Sequence, residues 1–318
     1  MHRSWGAAAG ITGAMASLFG LGEGDEDLAM IRALRSDPPG RAGDGKRGKT
    51  FGAALEQFEQ LLRAGREALP ATAPLSLFYA LTQAGRAILA AHAPQPWEVH
   101  GHGLKIGIQG EEIGGTTISP SGEGLFQAVA AVTGSDPLTE PMTLAETWAR
   151  IPHLARGVDL APDAPVIFAI DKAGPRERLV SDESGSLLTN SEDFTSRQSA
   201  YPELGDAEVP VEKQGKYEIV GLAFTSEDGA AAFDASLWTY LDQPYLRVSR
   251  GRGHEPSGLM LWWMLLQALS HFARYEPARW TAALAPDGST LAVPLEDALQ
   301  RAAVLLPRLV REALVPAN

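Results

Sequence analysis

The fold of this chain is decided by the stretch PSGLMLWWMLLQALSHFARY at Pro256–Tyr275. Its apolar residues fall on all sides of a helix, a pattern that predicts a helix buried on most of its surface. Glu276-Pro277 ends the helix, because the residue before a proline avoids helical backbone angles. The most apolar part, Leu259–Leu269, is too short to cross a bilayer and carries Gln267. Other helices must therefore cover this one.

Matching helices are predicted near the other end of the chain. Thr50 stands as an N-cap before apolar residues at three- to four-residue spacing from Phe51 to Leu62. Pro74 then opens a second helix, Leu75–Ala91, which is apolar on most sides. The amphipathic segment Leu291–Leu314 supplies a last helix. Broad apolar faces at both ends of a chain most simply pack on each other.

The middle of the chain follows a different period. Residues 166–170, 217–224 and 245–248 have the alternating or continuous apolar character of strands, and residues 125–132 and 144–154 suit short helices. Between Asp182 and Lys213 acidic residues dominate, which indicates a solvated loop or an exposed hairpin.

Together these patterns predict an α+β fold. It is mainly a helical bundle formed by the N- and C-terminal helices, with a β-rich central insertion. We divide the chain into a helical part at 1–96, a mixed β-rich part at 97–250 and C-terminal helices at 251–318 that pack on the first part.

Composition limits the functions that this chain can have. Among its 318 residues are no cysteines, which excludes disulfides, thiolate metal sites and a thiol nucleophile. The formal net charge of −12 makes binding to nucleic acid or to a membrane surface improbable. We predict a cytoplasmic protein.

The pattern GDGKRGKT at 43–50 matches the phosphate-binding loop GxxxxGK[ST]. Under this interpretation Gly43, Gly48, Lys49 and Thr50 would hold a Mg-nucleotide, and Asp171 after a buried strand would reach the metal. Such a loop must follow a strand, yet residues 36–42 include Pro38-Pro39. We therefore interpret the segment as a polar loop before Thr50, predict no cofactor, and keep a nucleotide-binding enzyme as an alternative.

Histidines offer weaker candidates for a site. His100 and His102 alternate around Gly101 and would share one face of a strand, although two histidines do not complete a metal site, and we predict none. A tight glycine turn explains the same pattern. Arg86 and His92 have the spacing of the catalytic pair in HEPN-type ribonucleases, which we keep as a second alternative. The basic stretch 247–254 could hold an anion or form a solvated turn.

Several blocks near both ends of the chain carry a family resemblance. They are Phe58–Leu62, PLSLFYAL at 74–81, QAGRA at 83–87, His102–Leu104, and LSHFARYEP at 269–277 with Trp280. In these blocks the chain resembles the YaaC-like proteins, a bacterial family without an established activity.

The resemblance implies a binding or interaction module with a pocket at His102, Arg86, Arg274 and Tyr275, to which we add the neighbouring His100. An arginine in an otherwise apolar helix needs a carboxylate, a backbone carbonyl or a ligand anion. We therefore expect a protein partner or a small anionic ligand. Broad apolar helices also make a homodimer plausible.

Overall fold

A computed structural model of the protein describes residues 23–43, 45–154, 167–181, 201–205, 207–214, 217–246 and 256–316. These residues form two compact units. The helical unit comprises 23–164 with 250–318, and the sheet unit comprises 165–249. Most of the acidic stretch predicted at 182–213 and all of the basic stretch at 247–254 lie outside the described residues.

The described residues form nine α-helices and nine strands. In chain order they are α1 Glu23–Ala33, α2 Gly45–Glu67, α3 Ala73–His92, β1 Leu104–Gly107, β2 Thr117–Pro120, α4 Leu125–Val132, β3 Met142–Thr143, α5 Leu144–Trp148, β4 Phe168–Gly174, β5 Glu177–Ser181, β6 Val211–Gln214, β7 Tyr217–Ala223, α6 Glu227–Ser236, β8 Trp238–Tyr240, β9 Gln243–Leu246, α7 Gly258–Tyr275, α8 Pro277–Ala283 and α9 Ala292–Leu314. The prediction of an α+β fold is confirmed.

Helix α3 lies at the centre of the helical unit, where it contacts α2, α4, α7 and α9. Nearly all of α3 and α7 is buried, as their apolar sequences predict. The two helices approach closely at Gly85, where an added Cβ would lie 2.4 Å from the Trp263 ring. Helix α9 also contacts α1, so the first and last described helices pack together.

The start of α2 differs from the prediction. The helix begins at Gly45, and the prediction of a loop at 41–49 with Thr50 as the N-cap is wrong. Tertiary contacts stabilise this first turn despite its glycines, because Lys46 forms an ion pair with Glu98 at 2.7 Å. The Arg47 guanidinium donates to the Ala90 carbonyl at 3.0 Å and lies over the Trp97 ring.

The sheet unit is built on six antiparallel strands in the order β6-β7-β5-β4-β9-β8. Its core includes Phe168, Val180 and Phe233. Buried Arg178 on β5 forms two hydrogen bonds with the Asp234 carboxylate of α6, at 2.6 and 2.5 Å. The three-stranded sheet β1-β2-β3 belongs instead to the helical unit, so residues 97–164 of the predicted central part are grouped with the helices.

Candidate functional site

Three segments of the helical unit bring together cationic and aromatic side chains at one place on its surface. Helix α3 contributes Tyr79 and Arg86, the turn before β1 contributes His102, and the last turn of α7 contributes Arg274 and Tyr275. We call these five residues the Arg274 cluster. Four of them are the residues that the family resemblance implies, and the structure brings those four together.

Arg274 is the centre of the cluster. Its guanidinium donates three hydrogen bonds, to the Ser270 carbonyl (3.2 Å), the Ser270 hydroxyl (3.4 Å) and the Tyr79 hydroxyl (3.3 Å). The guanidinium carbon lies 5.1 to 5.8 Å from the ring centres of Phe78, Tyr79 and Tyr275. Among the described residues none of its hydrogen bonds reaches a carboxylate. The described groups that accept its hydrogen bonds are therefore all neutral.

His102 lies in a turn whose backbone caps α4. Gly101 and Gly103 have φ values of +82° and +87°, a region that favours glycine. The carbonyls of Gly101 and His102 accept hydrogen bonds from the amides of Leu125 and Phe126, which have no partner inside their own helix. The glycine turn is therefore present, and the strand that would align His100 with His102 is not.

Two glutamine side chains fix the turn. The Gln127 amide nitrogen donates to the Gly103 carbonyl, and its oxygen accepts from the Gly124 amide at 3.2 Å. The buried Gln267 side chain of α7 donates to the Leu104 carbonyl at 3.2 Å. Because α7 also carries Arg274, this bond ties the histidine turn to the helix that holds the arginine.

The electrostatics of the site are positive. Partial burial lowers the pKa of His102, and the charges of Arg274 and Arg86 lower it further. Burial and the charge of Arg274 also lower the pKa of His271, against the opposing charge of Glu276. Both imidazoles therefore lose their protons more readily than usual, first because burial disfavours the charged form and then because each faces a cation.

His271 joins the cluster from α7, where its ring lies 4.8 Å from the ring of Tyr275. His100 lies two residues before His102 and is exposed. His153 has a different environment, beside Arg301 and Asp297.

The HEPN alternative requires Arg86 and His92 to act together. Arg86 and His92 are six residues apart on α3, which places them about 120° apart around the helix axis. The His92 ring forms a hydrogen bond with the Leu314 carbonyl at 3.0 Å, whereas the charge of Arg86 helps to lower the pKa of His102. Arg86 and His92 therefore have different neighbours in the described structure.

The phosphate-loop alternative lacks the strand that must lead into such a loop. Gly48, Lys49 and Thr50 lie inside α2 rather than in a loop. Residues 34–43, which are all described, form turns and bends, so no strand leads into the pattern. Asp171 is exposed on β4 of the sheet unit. The described residues before the pattern therefore lack the strand from which a phosphate-binding loop hangs.

Neither a metal site nor a membrane span is found in the described part of the chain. No three histidine or carboxylate side chains are grouped there so as to hold a metal ion. None of the helices described has the length and apolarity needed to cross a bilayer.

Reasoning from the sequence missed Tyr79, Ser270 and His271 as members of this site. Tyr79 and Arg86 are seven residues apart, a spacing that puts both on one face of α3. Ser270 and His271 each precede a cluster residue by four positions, Arg274 and Tyr275 respectively. The helical spacing was therefore an available signal.

The fold and the cluster define an α+β protein with a cationic, aromatic surface site. The family model described as YaaC-like Protein matches residues 34–314, a range that includes every cluster residue, the described residues of the sheet unit and all helices of the helical unit except α1. The chain belongs to the YaaC-like protein family, as its sequence blocks predict. No curated protein and no solved structure matches the chain.

Proposed function

We propose that this protein is a cytoplasmic binding protein for a small anion, which it holds at the Arg274 cluster. The observation that carries the proposal is the guanidinium of Arg274, whose hydrogen bonds go only to neutral oxygens of described residues. Arginine presents five N–H donors, and phosphate or carboxylate oxygens are their strongest partners. The absence of cysteine agrees with a reducing compartment.

The surroundings of Arg274 support an anion rather than a cation as the ligand. Arg86 adds a second positive charge, and its one hydrogen bond among the described residues is a long one of 3.4 Å to the Gln83 side chain. His102 can add a third charge when it is protonated. A local positive site on a chain with net charge −12 focuses anions where the rest of the surface repels them.

The expected affinity follows from the size of the ligand. Inorganic phosphate has five heavy atoms, and the best small ligands gain about 1.5 kcal/mol for each such atom. Because the cluster is open to solvent, we expect a Kd between about 10 µM and 1 mM. Screening by salt should weaken the binding.

Isothermal titration of inorganic phosphate into the full chain at pH 7 and low salt tests this proposal. Arg274→Gln keeps a long polar side chain and removes the charge, and we expect it to weaken binding at least tenfold. Arg86→Gln should weaken binding about two- to threefold, because exposed charges interact weakly in water. A thermal melt of each variant shows whether the fold is kept.

Arg47→Gln is the matched control. Arg47 is also half-buried, donates to a backbone carbonyl and lies over an aromatic ring, here Trp97. The Arg47→Gln variant should bind phosphate like the wild type. If Arg274→Gln binds phosphate normally, the proposal is wrong. A loss of binding in Lys49→Ala alone would instead favour the phosphate loop at 43–50.

A further inference from the structure

Two tyrosines beside Arg274 are more exposed than their chemistry favours. Tyr275 exposes 63% of its surface and Tyr79 exposes 37%. Among the phenylalanine, tyrosine and tryptophan side chains whose exposure the structure describes, these are the two exposed ones, and both lie within 6 Å of one guanidinium. Exposed aromatic surface next to a charged donor is typical of binding sites.

The position of the rings determines what they can contact. An anion bound to Arg274 must lie within hydrogen-bond distance of its nitrogens. The guanidinium carbon is 5.1 Å from the ring centre of Tyr275 and 5.8 Å from that of Tyr79. A ligand whose anionic group is held there can therefore place its remainder against at least one phenol ring.

The chemistry of the rings selects the remainder of the ligand. A phenol ring offers a flat apolar face, and planar rings stack on such faces with a larger gain than flexible chains. Arg274 is itself planar and lies near both rings, so a planar group continues an arrangement that already exists in the cluster. A bare anion would leave the tyrosine rings in water.

We infer that the ligand of the Arg274 cluster is a phosphate ester that carries a planar ring, of which a nucleoside monophosphate is the simplest biological form. This inference rests on the proposed function, since the phosphate group is placed by Arg274. The Tyr275 ring, as the more exposed of the two, supplies the stacking surface.

The experiment compares three ligands on the full chain by isothermal titration: inorganic phosphate, ribose 5-phosphate and AMP, with UMP as a second base. We expect AMP to bind about tenfold or more tightly than ribose 5-phosphate, the range found for stacking of one base. Phenyl phosphate, which has a planar ring and no sugar, distinguishes ring recognition from nucleotide recognition. Tighter binding of phenyl phosphate than of ribose 5-phosphate supports recognition of the ring itself.

Two variants test the role of the ring. Tyr275→Leu keeps apolar surface and removes the planar ring. The affinity of this variant for AMP should therefore fall to its affinity for ribose 5-phosphate. Tyr275→Phe removes only the hydroxyl and should keep the preference for AMP. Phosphate is titrated into all three proteins as the reference, and the affinity for AMP is compared with the affinity for phosphate within each protein, because the Tyr275 ring also lies over Arg274.

The outcomes separate the two claims. If all three ligands bind with equal affinity and depend on Arg274, the anion site stands and the planar-ring inference is overturned. A preference for AMP that persists in Tyr275→Leu also overturns the inference. If no ligand binds at all, the proposed function fails and the inference fails with it.

Discussion

The Arg274 guanidinium donates a hydrogen bond to the Tyr79 hydroxyl at 3.3 Å, which joins residues 195 positions apart in the sequence. Tyr79 lies on α3 and Arg274 on α7, two long helices that are mostly buried in the helical unit. Because the site forms where these helices meet, its geometry depends on their packing. A variant that disturbs the packing of these helices should therefore also disturb the cluster.

Anion binding should strengthen as the pH falls. Burial lowers the pKa of His102 in the free protein, and the charges of Arg274 and Arg86 lower it further; a bound anion would offset these charges and raise that pKa. Binding then takes up a proton, so affinity should rise about three- to tenfold between pH 8 and pH 5. Sulfate is the suitable probe, because phosphate titrates in the same range.

The control for this prediction is His102→Gln, which removes the titrating group and keeps a polar side chain. We expect the pH dependence of sulfate affinity to shrink to the part contributed by His271, whose pKa is also lowered beside Arg274. An unchanged pH profile in His102→Gln would show that another group takes up the proton.

In the turn that holds His102, replacing Gly103 by alanine should destabilise the protein more than replacing Gly101. Both glycines have positive φ, but an added Cβ at Gly103 would lie 2.0 Å from the Gln127 oxygen, whereas nothing lies within 4 Å at Gly101. We expect Gly101→Ala to cost about 1 kcal/mol from backbone strain. Gly103→Ala should cost at least about 2–3 kcal/mol, because overpacking is added.

Urea denaturation measures both glycine variants, and phosphate titration reports whether His102 has moved. Gly103→Ala should weaken phosphate binding as well as stability. Equal losses of stability at the two positions would show that the steric contact with Gln127 is relieved without cost.

The α3–α7 contact gives a second matched pair of glycines. At Gly85 a Cβ would lie 2.4 Å from the rigid Trp263 ring, while Gly52 on α2 has open space. Gly85→Ala should destabilise by about 1–3 kcal/mol through overpacking. Gly52→Ala should stabilise by about 0.5–1 kcal/mol through helix propensity. Thermal denaturation tests the pair, and a stabilising Gly85→Ala would contradict the packing described here.

The long helices could be predicted from the sequence because their signals are local. Continuous apolar residues mark α3 and α7, and Pro74 and Glu276-Pro277 mark where they begin or end. The start of α2 could not be predicted in this way. Gly45 and Gly48 are poor helix formers. The contacts of this first turn are made by Lys46 with Glu98 and by Arg47 with Trp97, and both partners are far away in the sequence.

The candidate site was predictable only in part for the same reason. Family-type residues pointed to Arg86, His102, Arg274 and Tyr275, but no local pattern says that Tyr79 faces α7. That contact is a property of helix packing. The boundary of the units is also non-local, since the short strands β1 to β3 pair within the helical unit.

In the sheet unit the Arg178–Asp234 pair should be a main determinant of stability. Arg178 is 2% exposed and would be left buried without its carboxylate in Asp234→Asn. Because Asp234 is itself partly exposed, we expect a loss of about 2–3 kcal/mol rather than the larger cost of a fully buried pair. Asp228→Asn on the same helix is the control, and hydrogen exchange of the β5 amides is the measurement. Equal exchange in both variants would mean that the pair contributes little.

Acid should destabilise the helical unit through His153. Burial, helped by the charge of Arg301 and opposed by that of Asp297, lowers the pKa of His153 to about 4. An unfolded histidine binds its proton near pH 6.5, so the unfolded state gains protons first as the pH falls. The stability contributed by the neutral imidazole is complete above about pH 6.5 and is lost towards pH 4, by roughly 3 kcal/mol.

Urea denaturation of the wild type and of His153→Gln at pH 7 and pH 4.5 measures this difference. His153→Gln should lose less stability on acidification, whereas exposed His100→Gln should follow the wild type. Parallel losses in all three proteins would show that other groups cause the acid sensitivity.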